Sequence, residues 1–192
     1  MSQLRKKAVK GIKKGDVLTI TRTFTEQETR VLGDITKDYN PVHYDDRFAQ
    51  VKNLNARICH GLLVAGMITE IGGQVAWFAS GMSFRFKKSV YFGDTITCTC
   101  TITELDEKQK ATARAVYTNQ HGIVVLEALL HGYLPGHSEK QVLKQMIAEG
   151  DPTNKLFKKD KLLESSFTVN KKGGASCMIF CSHLKKDPLE MR

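Results

Sequence analysis

The run Asp38-Tyr39-Asn40-Pro41-Val42-His43 sets a carboxylate and an imidazole on either side of a proline. In a helix, residues five apart point to different faces. Pro41 forbids that helix and makes a tight turn, which can bring the Asp38 carboxylate and the His43 imidazole to one point. A carboxylate and an imidazole converging there can hold a water and share its proton transfers. The same residues also suit a quieter arrangement, with Asp38 capping the turn and His43 on the surface. Residue chemistry alone leaves both open.

A second stretch, Cys59-His60-Gly61-Leu62-Leu63, precedes the most apolar part of the chain, Gly61–Met82. If Gly61 opens a helix, its first N–H groups lack internal partners and lie at the positive end of the helix dipole. A carbonyl oxygen gaining negative charge is stabilised at such a place, and a residue without Cβ lets a ligand approach closely. An ordinary helix start uses the same residues. His60 is either structural or helps shape the site, with the structural reading preferred.

These residues need elements to position them. Val17–Phe24 alternates and is β-branched, which predicts a strand. Thr25, with Glu28 three residues on, forms a capping box for a helix to about Thr36. Asp45 and Asp46 suit the first turn of a short helix toward Val51. Gly61–Met82 is long enough to suggest a membrane span, but Glu70 and Gln74 stand in its centre, where an acid costs roughly 2.5–3.5 kcal/mol in lipid. A helix apolar nearly all round equally suits one wrapped by a sheet. Four strands are predicted next, at Ser83–Phe92, Thr95–Thr103, Ala111–Tyr117 and Ile123–Leu134. In the second of these, threonines occupy one face and Ile96, Cys98, Cys100 and Ile102 the other. Gly93-Asp94, Asp106–Lys108 and Asn119–Gly122 supply short turns, which predict antiparallel pairing. The result is an α+β domain ending near Leu134, with Pro135-Gly136 at its edge. Glu139–Glu149 follows as one amphipathic helix, and 151–192 as a loosely ordered tail.

Composition removes other classes. The 192 residues have a mean hydropathy of -0.29, against a polytopic membrane protein, and nine Phe with five Tyr argue against wholesale disorder. Five Cys without a CxxC pair or a His-rich cluster make neither a disulfide framework nor a zinc site; Cys59, Cys98 and Cys100 read as small buried hydrophobes in a reducing compartment. The net charge of +9 belongs to the ends: residues 1–14 carry six basic residues and no acid, while 15–135 carry twelve basic against thirteen acidic. A basic tail is commonly a solvated appendage, and no aromatic residues interleave with Lys6–Lys14 to stack on bases, so neither nucleic acid nor membrane is an expected partner. The N-terminus has no apolar run behind its charges, unlike a secretory signal, and a cytoplasmic location is expected.

Thr36–His43, Ala49 and Ile58–Leu62 together resemble the hydratase motif of the MaoC-like dehydratases, a family that includes the R-specific enoyl-CoA hydratases. Its usual form is Gly-Asp-x-Asn-Pro-x-His followed by a His-Gly that opens a central helix. Ser83–Tyr91 and Gly93-Asp94-Thr95 are similar to the family's later strand and turn. The resemblance covers about residues 15–135 and leaves both basic ends outside. It implies a hotdog fold, an antiparallel sheet wrapped around a long helix. It also implies reversible hydration of a trans-2-enoyl thioester, carried by CoA or an acyl carrier, to the R-3-hydroxyacyl thioester. Asp38 and His43 would hold and activate the water and handle the α-carbon proton. The Gly61 N–H would bind the thioester oxygen, Asn40 would fix the loop or the His orientation, and Thr69 falls near a position where the family often has a small hydroxyl. No metal and no cofactor are implied, and pairing into a homodimer is. Lys37 stands where the family has Gly, which suggests a backbone not at positive φ. A non-hydrating thioester-binding or thioesterase-like hotdog protein is the alternative, and the intact Asp38/His43 pair argues against it. With no site residue beyond Thr69, a chain ending near Gly136 is expected to fold.

Overall fold

The computed structural model describes residues 3–152 and 154–156. In chain order its elements are α1 Gln3–Lys10, β1 Val17–Thr23, α2 Glu26–Thr36, a 3-10 turn Pro41–His43, α3 Asp46–Val51, α4 Gly61–Ala65, α5 Met67–Val75, β2 Phe78–Phe86, β3 Thr95–Leu105, β4 Lys110–Thr118, β5 Val124–Tyr133 and α6 His137–Ala148. The strands form one antiparallel sheet in the order β1-β3-β4-β5-β2, leaving β1 and β2 at its edges.

The alternation in β3 survives intact: Ile96, Cys98, Cys100 and Ile102 are buried, and the threonines face the other way. β4 contributes Ala111, Ala113, Ala115 and Tyr117 to the core, and β5 contributes Leu126, Ala128 and Leu130. Met67, Ile68, Ile71 and Val75 of α5 are buried in one core with these strands. Fully burying such an aliphatic side chain contributes about 1.5–3 kcal/mol. Tyr117 reaches from β4 to donate its hydroxyl to the Ala65 carbonyl at 3.0 Å, tying the sheet to the end of α4.

The apolar run 61–82 is not one helix. It breaks at Gly66 into α4 and α5 and stops at Ala76, which adopts the left-handed conformation at φ 54° and donates its N–H to Gly72. The strand expected at Ser83–Phe92 therefore begins earlier, at Phe78, and ends at Phe86; beyond it, Tyr91 makes a single antiparallel bridge with Ile58. A continuous apolar run carries no period that separates a buried helix from the strand that follows it.

The two ends also differ from expectation. α1 is no solvated appendage: Leu4, Ala8 and Ile12 repeat every four residues and pack into the core, and α1 lies against α5 and α6. Arg5 pairs with Asp151 at 3.5 Å. Gln74 of α5 and Asn154 exchange two amide hydrogen bonds, each 3.2 Å. The lysines between the apolar positions of α1 dominate its charge count and conceal this packed face. Packing thus continues across the boundaries expected at residues 14 and 135. Asp151 and Asn154 are buried where a loose tail was expected; the remainder of that tail, from 157, lies outside the described residues. Among the described residues, no helix is long and apolar enough to cross a membrane.

Candidate active site

The loop between α2 and α3 is held by its own polar atoms. Asp38 Oδ1 accepts the Asn40 N–H at 3.2 Å, and Asn40 Oδ1 accepts the Val42 N–H at 3.4 Å. Pro41 opens the 3-10 turn, which the His43 N–H closes onto the Asn40 carbonyl at 3.0 Å. Asn40 therefore caps the turn that carries His43. α2 ends at Lys37, whose φ of 63° and ψ of 22° are left-handed. The expectation that a Lys here marks ordinary backbone is overturned: the chain takes the left-handed turn and bears the strain of a Cβ in it.

The turn brings Asp38 and His43 together. His43 is 7% exposed, and its Nδ1–H donates to the Ile58 carbonyl at 2.8 Å. A carbonyl only accepts, so the proton is on Nδ1 and Nε2 is left as a base. Burial lowers the His43 pKa below its ordinary value, and the nearby His60 acts in the same direction. The Ile58 bond and the Asp38 charge oppose the shift. The Asp38 carboxylate is about half exposed, at 49%. His60, 2% exposed, completes the group: its Nε2–H donates to the Asp38 carbonyl at 2.9 Å, and its ring stacks on His43 with centroids 3.9 Å apart. Tyr44 also donates its hydroxyl to the Asp38 carbonyl, at 3.3 Å. One potential ligand atom from each of Asp38, His43 and His60 lies within 4.8 Å of the others.

His43 and Gly61 line one cleft of about 290 Å³, together with Cys59, Val64, Phe86 and Lys88. Asp38 stands outside that lining. Gly61 is the first residue of α4, after His60 at the cap position. A Cβ on Gly61 would lie 2.8 Å from the Phe86 ring, so this position needs glycine for close approach. Cys59 is not a nucleophile: burial pushes its thiol up to about 12.

Thr69 is not brought to this cleft. It is exposed, donates to the Gly66 carbonyl at 2.7 Å, and lines a second cavity of about 180 Å³ with Ile68, Trp77, Met82 and Leu130. The two cavities are in line. Val64, Phe86 and Leu126 of the first are followed by Ile68, Met82 and Leu130 of the second, four residues along from α4 into α5, on β2 and on β5. Phe86 pairs with Leu126, and Met82 with Leu130, in the β2–β5 register. Sequence reasoning offered His60 as a residue shaping the site but preferred a structural role, because its partner is a backbone carbonyl that no residue type announces.

The profile described as MaoC like domain matches residues 9–123, more than half of the chain. An (R)-specific enoyl-CoA hydratase of Rhodospirillum rubrum is 33% identical over 120 residues, covering 59% of this chain and 83% of that protein. A mitochondrial 3-hydroxyacyl-[acyl-carrier-protein] dehydratase of Arabidopsis thaliana is 34% identical over 89 residues, covering 44% of this chain and 52% of the relative. Among solved structures, the (R)-hydratase of A. caviae involved in PHA biosynthesis superposes with a TM-score of 0.61 at 27% identity, over 65% of this chain and 98% of that one. A five-stranded antiparallel sheet packed on the central helices, the His43–Gly61 cleft and these matches agree: the chain has the hotdog fold and belongs to the MaoC-like dehydratase family.

Proposed function

We propose that this protein catalyses the reversible hydration of trans-2-enoyl thioesters to R-3-hydroxyacyl thioesters. The observation that carries the reading is the convergence of the Asp38 carboxylate with a buried His43 whose Nε2 is held unprotonated. A water held by both groups would add its oxygen to C3 while the α-carbon gains a proton, so one water is consumed and no cofactor is drawn on. As the C3–O bond forms, the π electrons move toward the thioester oxygen. The Gly61 N–H, free of any helical partner at the first position of α4, would bind that developing charge. Dehydration runs the same steps backward. The acyl tail would follow the row from Val64 to Ile68 into the second cavity, past Thr69. Whether CoA or an acyl carrier protein delivers it is decided by comparing the two thioesters as substrates.

The reading includes a homodimer. β2 is an edge strand with Phe78 76% exposed and Phe86 54% exposed, an unpaired apolar edge of the kind that seeks a partner. Sedimentation should give twice the 21.5 kDa mass of one chain. An active monomer contradicts that part of the reading. Buried free thiols at Cys59, Cys98 and Cys100 fit a reducing compartment such as the cytoplasm. Loss of the enoyl-thioester absorbance of crotonyl-CoA is the direct test of the reaction. No loss at high enzyme concentration, with the thioester still bound, would favour a binding protein instead.

A further inference from the structure

His60 touches both halves of the pair assigned above while its ring is removed from water. Its Nε2–H is donated to the Asp38 backbone, 2.9 Å away, and the same nitrogen is 3.7 Å from the Asp38 carboxylate. Its ring plane is tilted 33° from that of His43. Its other nitrogen, Nδ1, is buried and has no hydrogen-bond partner among the described residues. A buried nitrogen without a partner costs stability. A phenyl ring would fill the same space without that cost, so packing alone does not explain an imidazole here. The bond to Asp38 does: it fixes the backbone of a residue whose side chain is half exposed.

We infer that His60 is a positioning residue for the hydration reaction, an imidazole that clamps the Asp38 backbone and the His43 ring so that both address one water. The inference rests on the assignment of Asp38 and His43 under the proposed function. The stack has a second consequence. His43 is faced by the His60 ring, the Asp38 carboxylate, the edge of Tyr44 and the Ile58 carbonyl, and Cys59, Lys87 and Lys88 line the cleft it opens into. Of these, His60 and burial disfavour charge on His43, whereas Asp38 and the Ile58 bond favour it. Removing His60 shifts that balance toward the charged form.

Two variants of the full chain, assayed with crotonyl-CoA as a function of pH, test this. His60→Phe keeps a ring and removes the donor; His60→Gln places an N–H near the Nε2 position and removes the ring. The Phe variant should lose about 10- to 100-fold in kcat with little change in KM, the scale seen when the outer partner of an active-site ligand is removed. The Gln variant should recover most of that loss. In both, the acid limb of kcat/KM should move to higher pH. If His60 only packs, both variants lose Tm while the folded fraction keeps wild-type kcat and an unmoved limb, which overturns the proposal. Should the Phe variant fail to fold, the Gln variant decides alone, and an unmoved limb again overturns it. Asp38→Asn and His43→Ala separate the two levels. If those variants keep wild-type turnover, the reading of the site fails. If they are inactive while the His60 variants match wild type, only the positioning role fails.

Discussion

At the scale of single residues, His43 supports a pH prediction whose sign follows from its surroundings. Its folded-state pKa lies below the ordinary value of 6.5, with burial as the largest cause. Below pH 6.5 the unfolded chain therefore binds more protons than the folded one, and stability from this group, complete above that pH, is lost as pH falls toward the folded value. Activity should follow the same group: the acid limb of kcat/KM reports the free enzyme and should lie below pH 6.5. A limb above it would mean that His43 is not the base. Pro41 made the turn between Asp38 and His43 legible, but residue chemistry left a capping Asp38 and a surface His43 equally open, and only the resemblance to the hydratase motif chose the pair. The half-exposure of Asp38 and the clamp by His60 were not legible. The clamp joins an imidazole to a carbonyl 22 residues upstream, and a carbonyl belongs to every residue alike.

Among the elements, the end of α2 carries a second prediction. Lys37 holds a left-handed turn at φ 63° with its N–H on the Gly33 carbonyl at 2.7 Å. Such backbone costs a side-chain-bearing residue about 1–2 kcal/mol, and glycine returns part of that as extra unfolded-state entropy, about 0.5–1 kcal/mol. Lys37→Gly should therefore raise stability by about 0.5–1 kcal/mol, read as a higher denaturation midpoint with an unchanged slope. A fall would show that the lysine side chain stabilises this turn more than its strain costs. The strands were legible because β3 alternates without a break and the turns between strands are short. The limits of the central helix were not, because residues 76–82 remain apolar after the helix has ended. Only the backbone at Ala76 marks the change.

Over the whole molecule, the described flanks at 3–14 and 136–156 join the core rather than decorate it. Stopping the chain near Gly136 removes Asp151 from Arg5, Asn154 from Gln74, and Leu143 from its buried place on α6. Breaking a buried ion pair from one side typically costs about 3–5 kcal/mol. Such a truncation should unfold at markedly lower denaturant or lose solubility, against the expectation from site residues alone. An unchanged midpoint would return both ends to the status of appendages. Charge counting misread the N-terminal segment because the six basic residues of 1–14 hide Leu4 and Ala8 of α1 and Ile12 beyond it, an apolar spacing visible only once a helix is assumed.

The central claim is that Asp38 and His43 together activate water for addition to an enoyl thioester. Its most direct test is the hydration rate of crotonyl-CoA by folded Asp38→Asn, which keeps the shape of the side chain and removes the carboxylate. The rate should fall by about 100- to 10,000-fold, the range for general acid–base groups, with His43→Ala falling similarly. Turnover within a few-fold of wild type in folded Asp38→Asn would contradict the account.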